Sequence, residues 1–226
     1  MGFTLDQVVP WGRNLEEYRR MFSLTEVDLN RRILGCADGP ASVNAELHEQ
    51  GKQYVSLDLI YEFSADEIES RVADTAEKVG EQLQQHQSNY RWDDYSSPEE
   101  LVEVRLAATR RFLTDFKQAE RGRYVTGTLL DLPFGDRTFD LVLCANCLFS
   151  YSEQLDEAFH HRSIQEMSRV GSEVRIFPLL EINGQRSRHL KRVTAHLEAQ
   201  GVLVEIVTVD YEFQKGANQV LRLKTP

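Results

Sequence analysis

Apolar residues in this chain recur with two different spacings, and the switches between them divide it into elements. Asn14 caps a predicted helix from Leu15 to about Phe22, with Glu16 and Glu17 in its first turn. Arg31-Arg32-Ile33-Leu34-Gly35-Cys36 reads as a short buried strand. A turn, Ala37-Asp38-Gly39-Pro40, follows it. A helix from Ala41 to Gln50 is then stopped by Gly51. Tyr54-Val55-Ser56-Leu57-Asp58 is the next strand. Strand, turn, helix and strand in so short a span form a βαβ unit, which implies a parallel sheet.

The following stretch breaks the alternation. Ser64-Ala65-Asp66-Glu67 matches a capping box and opens a long polar helix to about Gln87. A loop from Ser88 to Ser96 holds Tyr90, Trp92 and Tyr95. Ser97-Pro98-Glu99-Glu100 reads as a second capping box, with Pro98 at the first helical position of a helix to about Ala119. Two helices and an aromatic loop inside an alternating fold suggest a helical cap inserted at about 60–121.

Alternation then resumes. Arg123–Thr126 and Phe139–Cys144 are strands, the second apolar enough to be central. Ser152 to Arg169 reads as a helix, Glu173–Phe177 as a strand stopped by Pro178, and His189 to Gln200 as a helix ended by Gly201. Val202–Val209 and Gln219–Leu223 are joined by too short a loop for a crossover helix, so they should be antiparallel neighbours. The expected fold is α/β: a doubly wound, mostly parallel seven-stranded sheet with an antiparallel last strand and a helical insertion after the second strand. An N-terminal helical segment at 1–30 precedes the main domain at 31–226.

Two features along this frame carry chemistry. The small-residue turn after the first strand lets a ligand approach the backbone and meet the next helix N-terminus. Asp58 ends the second strand, where a carboxylate can accept both hydroxyls of a ribose diol. Taken alone, capping the turn that follows is the plainer role for it.

A third stretch, Gly127-Thr128-Leu129-Leu130-Asp131-Leu132-Pro133-Phe134-Gly135-Asp136-Arg137-Thr138-Phe139-Asp140-Leu141-Val142, resembles class I S-adenosylmethionine-dependent methyltransferases. In that family a Leu-Pro-Phe loop leads into a Phe-Asp-Leu-Val strand. The turn at 33–41, Asp58 and the strand–helix order are similar to that family too. Pro10-Trp11-Gly12-Arg13, Arg175–Leu180 and Tyr211–Gly216 resemble a bacterial methyltransferase-like subgroup of it.

The resemblance implies S-adenosylmethionine as cofactor, methyl transfer as activity, and a set of site residues. In the family pattern the first strand ends in an acidic residue followed by several glycines. Here Gly35 takes the acidic place, Cys36 follows, Ala37 and Gly39 take the first two glycine places and Ala41 the last. Asp38, displaced into the turn, is the acid that remains for the methionine end. Asp58, followed by Leu59, matches the ribose-binding acid. Thr128 is the expected acceptor for the adenine amine, beside Leu129, with Asp131 as the alternative. Asn146-Cys147-Leu148 matches the segment under the sulfonium.

Methyl transfer is an in-line displacement, so proximity and orientation supply most of the catalysis. A base is needed only where the nucleophile must lose a proton. Tyr151 and Glu181 are the candidates, ahead of His160 and His161, for which a solvated helix-face position is the plainer reading. Glu181 has the alternative of capping the turn after it. Trp11, Arg13 and Tyr18 precede the core, and Arg13 is expected to pair with the cofactor carboxylate unless this segment only packs on the sheet edge.

Composition narrows the partners. The 226 residues hold 26 Lys and Arg against 36 Asp and Glu, a net charge of −10. That balance argues against RNA or DNA and for a small-molecule acceptor. No apolar run is long enough for a membrane span and no secretory signal is seen, so a cytoplasmic protein is expected. Three cysteines make no disulfide scaffold. Cys144-Ala145-Asn146-Cys147 has redox spacing, but small buried hydrophobes are the plainer reading, and no metal is expected. Nothing in the pattern fixes an oligomeric state. Two rival readings stand beside the transferase: a non-catalytic nucleoside-binding protein of the same fold, and an enzyme using S-adenosylmethionine or a related nucleoside for another reaction.

Overall fold

The computed structural model describes residues 10–224. Residues 1–9, on which part of the signal-sequence expectation rests, lie outside the described residues. Seven strands form one sheet: β1 (Ile33–Cys36), β2 (Tyr54–Leu57), β3 (Tyr124–Val125), β4 (Leu141–Ala145), β5 (Glu173–Phe177), β6 (Leu203–Thr208) and β7 (Gln219–Lys224). Their order is β3-β2-β1-β4-β5-β7-β6, and β7 runs antiparallel to both β5 and β6. The expected fold class is therefore observed. The chain winds outward one way from β1 and the other way from β4, so the crevice for a ligand opens at the carboxyl ends of these two strands.

Alternation along the strands builds two core layers. Leu141 and Leu143 join Ile33 and Phe177 on the face covered by α1 (Leu15–Phe22) and α3 (Val43–Glu49). Val142 and Cys144 join Leu34 and Ile176 on the face covered by α6 (Glu157–Val170) and α7 (Leu190–Ala199). The buried strand β5 carries two charges, Glu173 and Arg175. A one-turn helix, α2 (Glu26–Leu29), supplies their partner: Arg175 Nη2 donates to Asp28 at 2.9 Å, and Arg31 donates to both Glu173 and Asp28. Burial alone would raise the Asp28 carboxyl. The Thr25 N–H and Arg175 outweigh it and bring the group down to about 2.

Between β2 and β3 lie α4 (Ala65–Gln85) and α5 (Pro98–Phe116), packed on each other, with α5 also touching α3. Ser64 and Glu67 form the expected reciprocal capping box. At the second helix the box is only half made. Ser97 accepts from the Glu100 N–H, but the Glu100 carboxylate reaches Ser96 instead. The helix expected from Ser152 begins at Glu157, because Asp156 caps it by accepting from the Phe159 N–H at 2.8 Å. The chain leaves β4 through Asn146, at φ 52°, and forms turns up to that cap. None of the helices among the described residues is long and apolar enough to cross a membrane.

Candidate active site

The carboxyl ends of β1, β2 and β4 open into a cavity of about 770 Å³. That volume lies toward the upper end of the ~300–1,000 Å³ range of small-molecule sites. The turn after β1 forms its floor. Gly39 is left-handed at φ 55°, which suits glycine, while Ala37 adopts φ 52° without being one. The Gly39 N–H donates to Asp58 Oδ2 at 2.9 Å and the Ile60 N–H to Oδ1 at 2.9 Å. Asp58 therefore caps the short turn Leu59–Glu62 and lines the cavity as well. Burial pushes its carboxyl up despite these two donors.

Asp38 explains the glycine at the end of β1. Its carboxylate accepts from Tyr18 Oη at 2.7 Å, Tyr54 Oη at 3.1 Å and Ser56 Oγ at 2.6 Å. A Cβ on Gly35 would lie 2.2 Å from Tyr54 Oη and 2.6 Å from the Asp38 carboxyl. The space that a side chain at position 35 would enter is thus filled by the Asp38 carboxyl and its phenol partner. Burial pushes this carboxyl up to about 6, against the three hydroxyls that favour its charge.

Most of the expected residues converge. Ala37, Asp38, Gly39, Asp58 and Leu59 line the floor; Thr128 and Leu129 line one side. Asn146, Cys147 and Tyr151 line the wall beyond β4, and Arg13 enters from the N-terminal segment. The Arg13 Nε is buried and meets no acceptor in the protein. Four expected residues do not line the cavity. Gly35 and Cys36 are buried within β1. Asp131 is exposed, in a bridge pairing with Thr128. Glu181 is turned to Arg188, whose Nε and Nη2 donate to it at 2.9 and 2.8 Å and whose backbone N–H donates at 2.9 Å. Arg188 holds the Glu181 carboxyl below its ordinary value, so it is an ion-pair anchor for the loop. His160 and His161 face α7, next to His189 and His196.

Sequence reasoning missed a buried charge cluster against the cavity. Glu17, the third residue of α1, ion-pairs with Arg105 of α5 and accepts from Tyr95 Oη and Tyr211 Oη, each at 3.0 Å. Burial would raise the Glu17 carboxyl, but Arg105 brings it below its usual value. Arg105 and Tyr211 line the cavity. The visible signal was Arg105 itself, a cation in the middle of an otherwise apolar helix stripe. The three cysteines are free and buried. Cys36 faces Cys144 across β1 and β4, and the Cys147 thiol is raised by its hydrogen bond with Cys144 and by burial. Among the described residues no cluster of three ligating side chains can hold a metal ion.

Residues 97–173 match the model of a methyltransferase domain. The uncharacterized protein MJ0045 of Methanocaldococcus jannaschii is 33% identical over 221 residues, covering 97% of both chains. Among solved structures, a magnesium protoporphyrin IX methyltransferase of Synechocystis with bound S-adenosylmethionine is 11% identical. It aligns over 87% of this chain and 71% of its own at a TM-score of 0.45. A candidate S-adenosylmethionine-dependent methyltransferase of Methanococcus maripaludis is 13% identical over 93% of this chain and 82% of its own, with a TM-score of 0.49.

Proposed function

Because the chain belongs to the class I S-adenosylmethionine-dependent methyltransferases, we propose that it carries the methyl group of S-adenosylmethionine to a small-molecule acceptor within the cavity above β1, β2 and β4. When bound, that cofactor supplies an electrophilic methyl group on a sulfonium sulfur.

The observation that carries the reading is the convergence of Asp58, Asp38 and Arg13 on one cavity. Asp58 is the acceptor for the ribose diol. Each of its oxygens takes one backbone N–H and keeps a further lone pair. Thr128 and Leu129 sit beside the adenine. Asp38 receives the ammonium of the methionine end, held in place by Tyr18, Tyr54 and Ser56. Arg13, with its unmatched buried Nε, takes the carboxylate. The departure of the first turn from the family pattern favoured a non-catalytic rival. Asp38 in the space beside Gly35 supports the opposite reading, since an acid is still present at the end of β1.

Orientation does the catalytic work. Among the described residues the cavity is lined by neither histidine nor glutamate, and its inner carboxyls, Asp38 and Asp58, are engaged by donors. This supports an acceptor atom that attacks without a strong protein base, positioned by the walls. Tyr151 is the remaining candidate to orient it.

Incubation with S-adenosylmethionine and a panel of small acceptors, scored for S-adenosylhomocysteine by mass spectrometry, tests the reading. Product that depends on the acceptor is expected, and Arg13→Ala should raise the KM for S-adenosylmethionine about tenfold. A change under about twofold removes the carboxylate role from Arg13. Cofactor bound without product from any acceptor supports the binding-protein rival.

A further inference from the structure

The cavity is also lined by residues not assigned to the cofactor, and these have their own chemistry. Part of its wall is apolar, formed by Val79 and Leu83 of α4 together with Tyr90 and Phe213. The last two rings stack, with centroids 4.7 Å apart and planes inclined by 19°. Arg71 and Lys78 line the same cavity from α4 and are both solvent-exposed, which puts them at its mouth. They stand two helical turns apart, on one face. The salt bridges of α4 and α5 use other side chains, among them Arg105 with Glu17, Lys117 with Asp66, Arg123 with Asp115, and Arg111 with residues of α3. Arg71 instead lies over the Phe63 ring, 3.9 Å from its centroid. One acid, Asp74, lies between the two cations on the cavity face. Two cations left at the mouth of an apolar slot stand out in a chain of net charge −10.

Resting on the methyltransferase reading, we propose that the acceptor is an apolar molecule bearing an anionic group, such as a carboxylate, sulfonate or phosphate. Its body lies against Val79, Leu83, Tyr90 and Phe213, and its anionic group meets Lys78 and Arg71. Desolvation of the body supplies affinity, and the two cations supply orientation and selectivity against neutral and cationic molecules of the same shape.

Two fluorescent probes with the same aromatic body separate these contributions. 8-Anilinonaphthalene-1-sulfonate carries the anion; N-phenyl-1-naphthylamine does not. Each is titrated into the full chain saturated with S-adenosylhomocysteine. The sulfonate should bind about tenfold more tightly than the amine at low salt. Lys78→Glu and Arg71→Glu should each erode that margin and leave the amine's affinity unchanged. Lys78→Gln should lie between. Equal affinities in the unmodified protein, or a margin that survives both charge reversals, would overturn the proposal. Titration of S-adenosylhomocysteine itself runs in parallel. If it binds every variant equally, a missing margin counts against the anionic acceptor alone. If it fails to bind the unmodified protein, the cofactor reading falls first and the acceptor proposal with it.

Discussion

Substituting Gly35 by alanine probes the relocated acid most sharply. The new Cβ would lie 2.2 Å from Tyr54 Oη and 2.6 Å from both Cγ and Oδ1 of Asp38. Comfortable non-bonded contact begins near about 3.5 Å, so both neighbours must retreat by roughly 1 Å. Overpacking of this kind costs about 1–3 kcal/mol. Retreat of the Asp38 carboxyl also breaks at least one of its bonds from Tyr18, Tyr54 and Ser56. A hydrogen bond to a charged group contributes about 1.5–3 kcal/mol, so the expected total is about 4 kcal/mol. In an Asp38→Ala background the carboxyl is gone and only the Tyr54 hydroxyl obstructs. Gly35→Ala should then cost about 2 kcal/mol less, a coupling typical of residues in contact. Urea unfolding of the four proteins, with m-values checked for constancy, measures both quantities. A Gly35→Ala protein within about 0.5 kcal/mol of the parent, or additivity with Asp38→Ala within that margin, would refute the reasoning.

Two further predictions follow from the buried charges. Burial holds the Asp38 carboxyl at about 6, above its ordinary value of 3.8. This group therefore adds stability at low pH and loses it as pH rises from about 4 through about 6, by roughly 3 kcal/mol. Asp38→Asn should remove that fall in urea unfolding curves across the window; an unchanged slope contradicts it. In the same window, the affinity for S-adenosylmethionine should rise with pH as the ionised carboxylate meets the ammonium. Arg105→Met leaves the Glu17 carboxylate buried with Tyr95, Tyr211 and the Asn14 N–H as its donors, and should cost about 3–5 kcal/mol. Adding Glu17→Gln to it should recover about half of the loss in the same assay, and no recovery would show that the pair acts through packing alone.

What the sequence made legible was local. Asn14 and the first-turn glutamates define α1 at its observed bounds, and the stretch Glu173–Phe177, stopped by Pro178, is β5 residue for residue. The βαβ unit fixed β1, α3 and β2, and with it the crevice that Asp58 lines. Long-range partners were not legible. Glu181 sits at a strand end as a catalytic base would, but Arg188, seven residues later, consumes it through a loop whose path no local pattern shows. Asp156 competes with Ser152 for the start of α6, and the hydrogen bond to Phe159 decides it. Gly35 reads as a lost acid until the fold brings Tyr54 and Ser56 of the neighbouring strand against Asp38. The charge of Arg105 makes sense only once the fold brings Glu17 of α1 to it.

The central claim is that Asp58 grips the ribose of an adenosyl ligand beside the Gly39 turn. Calorimetric titration of the full chain with S-adenosylhomocysteine, repeated on Asp58→Ala, tests it most directly. One site per chain and a loss of at least about tenfold in the variant are predicted. Absence of binding, or equal affinity in the two proteins, would contradict it.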